Sequence, residues 1–263
     1  MKKIVLSIVA VALISSGCLF YGQLEIGRKA AEAASAAEVA DETARLAAER
    51  LKAVTVKALK PIREFQRPAP LPLEPRQNIL NWMELNPDTI GYLKIEGTKI
   101  DYPVVQGADN DYYLNYTFDH IKATRGSIFL DANVVYDPSD LPRHMLIHGH
   151  HMRNGTMFQN IAKFKEEKFF YDHPFVLFET LYQDTVWQVF SVYVCNATEY
   201  VPMAFKDDEA YVAYLQKTAD RSMYPVDVSL AAGDIIMTLN TCSYEFKGAH
   251  TLVAAKLAWA YND

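Results

Sequence analysis

The stretch Asp234-Ile235-Ile236-Met237-Thr238-Leu239-Asn240-Thr241-Cys242-Ser243-Tyr244-Glu245-Phe246 carries the reading of the whole chain. Its apolar run up to Leu239 reads as a buried strand, and Cys242 falls where that strand runs out. A thiol held on rigid backbone at the edge of solvent suits a nucleophile better than a packing group. A second stretch, Leu146-Ile147-His148-Gly149-His150-His151-Met152-Arg153-Asn154-Gly155-Thr156-Met157-Phe158, supplies imidazoles able to move protons near neutral pH.

The first stretch resembles the Thr-Leu-x-Thr-Cys signature of sortases, the cell-wall transpeptidases of Gram-positive bacteria. The second is similar to the sortase segment in which the catalytic histidine directly follows a glycine, with the Gly-Thr/Ser-Met-Phe tail common in class B enzymes. Arg125-Gly126-Ser127-Ile128-Phe129-Leu130-Asp131 resembles a third segment of the family. The resemblance runs from about residue 78 to the C-terminus. It implies a mainly β fold with added helices, a sortase-like closed β-barrel with N-terminal helices and a helix between the sixth and seventh strands. It also implies Cys242 as the nucleophile and His150 as the group that protonates the departing amine and later takes a proton from the incoming one.

The chain departs from the family where an arginine is expected on the strand after the cysteine. His250 stands there, and no arginine follows Cys242 at all. A guanidinium is always charged and forks two donors toward an oxyanion, whereas imidazole offers one donor per nitrogen. Three explanations compete: His250 donates a hydrogen bond in the arginine's place, Lys247 or Lys256 lends the charge, or the enzyme is slow or inactive. The first leads to the expectation that His250→Arg keeps or raises activity. Asn240 occupies a position where many class B enzymes have serine, and its amide, with Thr241 beside it, is a candidate for holding substrate backbone.

With 263 residues, half of them apolar, the chain can bury one full core and carry appendages. Its net charge of −6, without a concentrated Lys/Arg patch, argues against a nucleic-acid partner. Met1-Lys2-Lys3 precedes an uncharged segment over 4–21, about long enough to cross a bilayer. Residues 1–28 therefore read as a membrane anchor or signal segment, giving a single-pass protein of the cell membrane with its catalytic domain extracellular. Signal cleavage near Ser15-Ser16-Gly17 and a lipoprotein at Cys18 are the rival readings. Residues 29–60 are rich in Ala, Glu, Lys and Arg, and prolines crowd 66–75, so 29–77 reads as a helical stalk and Pro-rich linker and 78–263 as the catalytic domain.

Within that domain, 78–85 reads as a short amphipathic helix, 90–95 and 100–106 as a hairpin, 112–114 as a short helix, 126–131 as a strand and 250–259 as a buried closing strand. Asp207, Asp208 and Glu209 open a further helix that Lys217 and Arg221 close, with Tyr211, Tyr214, Leu215 and Thr218 on one face toward the core. Cys195 reads as a small buried hydrophobe, and both it and Cys242 are expected to be free thiols. His148, His150, His151 and His144 invite a zinc reading, but strand alternation sends His148 and His150 to one face and His151 to the other, with no acidic ligand interleaved. No metal and no cofactor are expected. His120, His144 and His173 read as ordinary loop residues.

The function implied is a cysteine transpeptidase that cleaves a C-terminal sorting signal of secreted proteins through a thioester and passes the acyl group to an amine. Its partners would be a sorting-signal peptide of surface proteins or pilins, an amine acceptor on a cell-wall precursor or a pilin lysine, and the membrane via the N-terminal helix. An extracytoplasmic cysteine peptidase and a non-catalytic peptide-binding relative are the alternatives.

Overall fold

The computed structural model describes residues 74–261. The expected anchor over 4–21 and nearly all of the stalk lie outside these residues. Among the described residues, no helix is long and apolar enough to cross a membrane.

Eight strands close into a barrel in the order β1-β2-β3-β4-β7-β8-β6-β5. Helix α1 (Gln77–Leu85) leads in, burying Ile79 and stacking Trp82 on Tyr92 with ring centroids 5.5 Å apart. Strands β1 (Thr89–Lys94) and β2 (Asp101–Val105) form the expected antiparallel hairpin around the turn at Gly97, whose φ of 73° is the region glycine occupies without strain. The short α2 (Tyr112–Asn115) precedes β3 (Ile128–Leu130) and β4 (His144–His148). A 3₁₀ segment (Phe158–Lys165) and α3 (Glu167–Asp172) follow, then β5 (Phe175–Glu179) and the long β6 (Asp184–Asn196). Helix α4 (Asp208–Asp220) falls between the sixth and seventh strands, as expected, before β7 (Ile236–Cys242) and β8 (Ala249–Tyr261).

Two pairings are parallel, β2 with β3 and β4 with β7. They bring segments distant in sequence side by side, and the second assembles the site described below. The interior is filled by alternate residues of every strand, among them Leu93, Val104, Ile147, Trp187, Leu239 and Val253. Helix α4 starts at Asp207, whose side chain accepts from the Ala210 N–H at 2.8 Å. Its Tyr211 and Leu215 pack on Phe190, Ile236 and Ala254, so the aromatic stripe is core.

His144 is a correction to the loop reading. It is the first residue of β4 and fully buried. Its Nδ1–H donates to the Pro202 carbonyl at 2.7 Å, and its Nε2 accepts from the Thr238 hydroxyl at 2.8 Å, a pairing that only the neutral ring can make. Burial pushes this imidazole down to about 4, against the opposing pull of the Pro202 carbonyl. The unfolded chain therefore binds a proton that the folded chain refuses as pH falls from about 6.5 to about 4. Stability fully present above pH 6.5 should drop by about 3 kcal/mol across that window, and His144→Gln should flatten this part of a denaturant-unfolding pH series. An equal slope in the variant would refute the assignment.

Candidate active site

The ends of β4, β7 and β8 meet where the Thr238–Cys242 stretch reaches solvent. Strands β4 and β7 run parallel with His148 beside Asn240, and the Gly149 N–H continues the pairing by donating to the Asn240 carbonyl at 3.1 Å. Strands β7 and β8 are antiparallel with Cys242 opposite His250, and β6 places Cys195 on the other side of His250. The structure thus brings Cys242 and His250 together at one corner of the barrel, while the contact of the His150 side chain is with the Leu114 carbonyl. Cys242 is an exposed free thiol, and Cys195 is free and buried.

The imidazole at the sulfur is that of His250, with Nε2 3.6 Å from Sγ. The other two imidazoles are turned to carbonyls, which only accept, so each donates there. His150 Nε2–H bonds the Leu114 carbonyl at 2.7 Å, and His151 Nδ1–H bonds the carbonyl of Cys242 itself at 2.9 Å. The His151 ring meets Tyr244 edge-on at 5.0 Å.

Behind His250 runs a chain of hydrogen bonds. Its Nδ1 lies 2.8 Å from Asn240 Oδ1, Asn240 Nδ2 lies 3.1 Å from His148 Nδ1, and His148 Nε2 lies 3.0 Å from Asp131 Oδ2. Asp131 is buried and further held by Asn110 Nδ2 at 3.0 Å and by the backbone and side-chain nitrogens of Asn133 at 2.9 and 2.8 Å. Burial alone would raise its carboxyl, but the bonds from His148 and Asn133 outweigh it and hold the group down at about 2. Burial pushes the Cys242 thiol up, and burial together with nearby His148 pushes the His250 imidazole down. At neutral pH the resting pair is a thiol facing an uncharged imidazole.

Asn240 and Thr241 both make hydrogen bonds within the protein. Both ends of the Asn240 amide are taken by histidines. The Thr241 hydroxyl is buried and donates to the Gly149 carbonyl at 2.8 Å, which ties β7 to the turn after β4. Asp131 was legible only as part of a strand motif, and His148 only as a residue on the same face as His150. Neither spacing nor alternation signals that 131, 148, 240 and 250 share one network.

An accessible thiol with an imidazole at hydrogen-bond distance, on the lip of a closed barrel, defines a cysteine-dependent acyl-transfer enzyme. The Sortase domain model matches residues 93–258. The chain is 34% identical over 173 residues to sortase B of Listeria monocytogenes, covering 65% of this chain and 70% of the relative. Among solved structures, sortase B of Clostridium perfringens is 38% identical with a TM-score of 0.65, covering 68% of this chain and 99% of that one. A Staphylococcus aureus sortase B–substrate complex is 28% identical with a TM-score of 0.66, covering 83% and 97%. The chain belongs to the sortase family, in its class B branch, and is a cysteine transpeptidase.

Proposed function

We propose that this transpeptidase cleaves a sorting-signal peptide of secreted surface proteins and hands the acyl group to an amine of a cell-wall precursor or a pilin lysine, at the outer face of the membrane. The observation that carries the reading is the exposed Cys242 sulfur beside an imidazole on a barrel of the class B type. Sulfur attack on the scissile carbonyl yields a thioester and releases the downstream peptide as an amine. The S. aureus sortase B structure is of a substrate complex, which supports a peptide substrate for this chain. An uncharged N-terminal segment over 4–21 supports membrane attachment.

The test is a panel of candidate sorting-signal peptides offered to the full-length chain with and without an amine acceptor. The expected result is an acyl-enzyme adduct on the protein by mass spectrometry and an amine-dependent ligated product by chromatography. Cleavage at the same rate with water as sole acceptor, and no ligated product at saturating amine, would make the protein a peptidase.

A further inference from the structure

We infer that His250, held by Asn240, His148 and Asp131, accepts the thiol proton of Cys242, so that this site works with a Cys–His–Asn constellation in which the residue at the missing arginine's place is the base. The inference rests on the transpeptidase reading and concerns which imidazole serves the sulfur.

Hydrogen-bond chemistry fixes the direction of every link. Asp131, a carboxylate that only accepts, takes the Nε2–H of His148. Asn240 Nδ2, which only donates, is met by the lone pair of His148 Nδ1. That leaves Asn240 Oδ1 to accept the Nδ1–H of His250. The lone pair of His250 Nε2 therefore points at Cys242 Sγ, 3.6 Å away. In the resting neutral ring Nε2 is an acceptor, and it becomes a donor only once it has taken the thiol proton. His150, whose Nε2–H is engaged by the Leu114 carbonyl, has no such contact with the sulfur.

The step balances as follows. The S–H proton passes to His250 Nε2 while the sulfur lone pair forms the C–S bond and the carbonyl π pair moves to oxygen. On collapse the C=O re-forms, the C–N bond breaks, and the departing nitrogen takes the proton back from His250. Attack by the acceptor amine repeats the sequence in reverse, and the thiol is restored. His250 touches a reacting atom, whereas Asn240, His148 and Asp131 act through it as positioning residues. The groups facing His250 are Cys242 on β7, Cys195 on β6, and His148 on β4 with Asp131 behind it.

The experiment reads the thiol without needing the physiological substrate. Second-order alkylation of Cys242 by iodoacetamide is followed against pH in the full-length chain, alongside kcat/KM for transpeptidation. His250→Gln is expected to remove the imidazole-dependent limb of the alkylation profile and to lower kcat/KM by about 10²- to 10⁴-fold, the usual range for general acid–base catalysis. Asn240→Ala should displace that limb, and His150→Gln should leave it in place. His250→Arg should also lose the limb, which reverses the expectation drawn from the motif alone. A profile unmoved by His250→Gln, or moved by His150→Gln instead, would overturn the inference.

Because a variant can misfold, ¹⁵N-histidine NMR of the unaltered protein supplies an independent reading. Nδ1 of His250 should be protonated and Nε2 bare, and the opposite tautomer would refute the assignment. Failure of the transpeptidase reading itself would show differently, as absence of ligated product with these thiol and tautomer signatures intact.

Discussion

Cys242→Ala is expected to lower acyl transfer by about 10⁴-fold or more, since deleting a covalent nucleophile removes a route that the rest of the site cannot replace. The fold should hardly notice. Cys242 is the last residue of β7 and exposed, so truncation opens no cavity, and surface changes of this kind stay within about 0.5 kcal/mol. Among the described residues the other thiol, Cys195, cannot rescue the reaction. Cys195 is 6% exposed, and burial, reinforced by the nearby Glu199 carboxylate, pushes its thiol up to about 11. Single-turnover formation of the acyl-enzyme adduct, measured beside a denaturant unfolding curve, separates the two effects. Turnover within tenfold of the unaltered protein would remove Cys242 from the chemistry, and a large stability loss would recast it as structural.

The fold was legible wherever the pattern is local. The hairpin around Gly97, the helix starting at Asp207 and the closing strand after Cys242 each announce themselves by alternation, capping chemistry or helical spacing. The 3₁₀ segment Phe158–Lys165 and helix α3 were not anticipated, because short helical turns lack the length over which periodicity becomes distinctive. The parallel pairing of β4 with β7 is a tertiary event between strands that share no turn, and it creates the site. Cys242 and His250 were legible from the motifs as neighbours across the last two strands. Their division of labour was not, because it depends on which lone pair faces the sulfur, and that is decided at Asp131, far away in the chain. His144 was misread for a related reason, since an imidazole that opens a buried strand cannot be told by sequence from one in a loop until Thr238 and Pro202 are seen against it.

Gly149→Ala should lower both stability and turnover through a single added methyl. Gly149 is not among the glycines with positive φ, so its need for glycine is a matter of space and not of backbone freedom. A Cβ at 149 would sit 2.5 Å from Ile128 Cδ1 and 2.7 Å from Phe158 Cγ. Both neighbours are core residues with essentially no exposure, so neither can swing into solvent. Overpacking of this kind costs about 1–3 kcal/mol. The backbone at 149 is also tied on both sides, its N–H to the Asn240 carbonyl and its carbonyl to the Thr241 hydroxyl. Any shift that relieves the clash therefore drags His148 relative to β7 and, through Asn240, misplaces His250 at the sulfur. A displacement near 1 Å at a catalytic group costs about 100-fold in rate, so turnover should fall by about that factor well below the unfolding temperature. The double variant Gly149→Ala with Ile128→Val, which deletes the nearest clashing atom, should recover part of both losses, and coupling between neighbours of this kind is typically about 0.5–3 kcal/mol. Unchanged turnover and an unchanged unfolding midpoint in Gly149→Ala would mean that the glycine before His150 is there for some reason other than the crowding between β3 and the 3₁₀ segment.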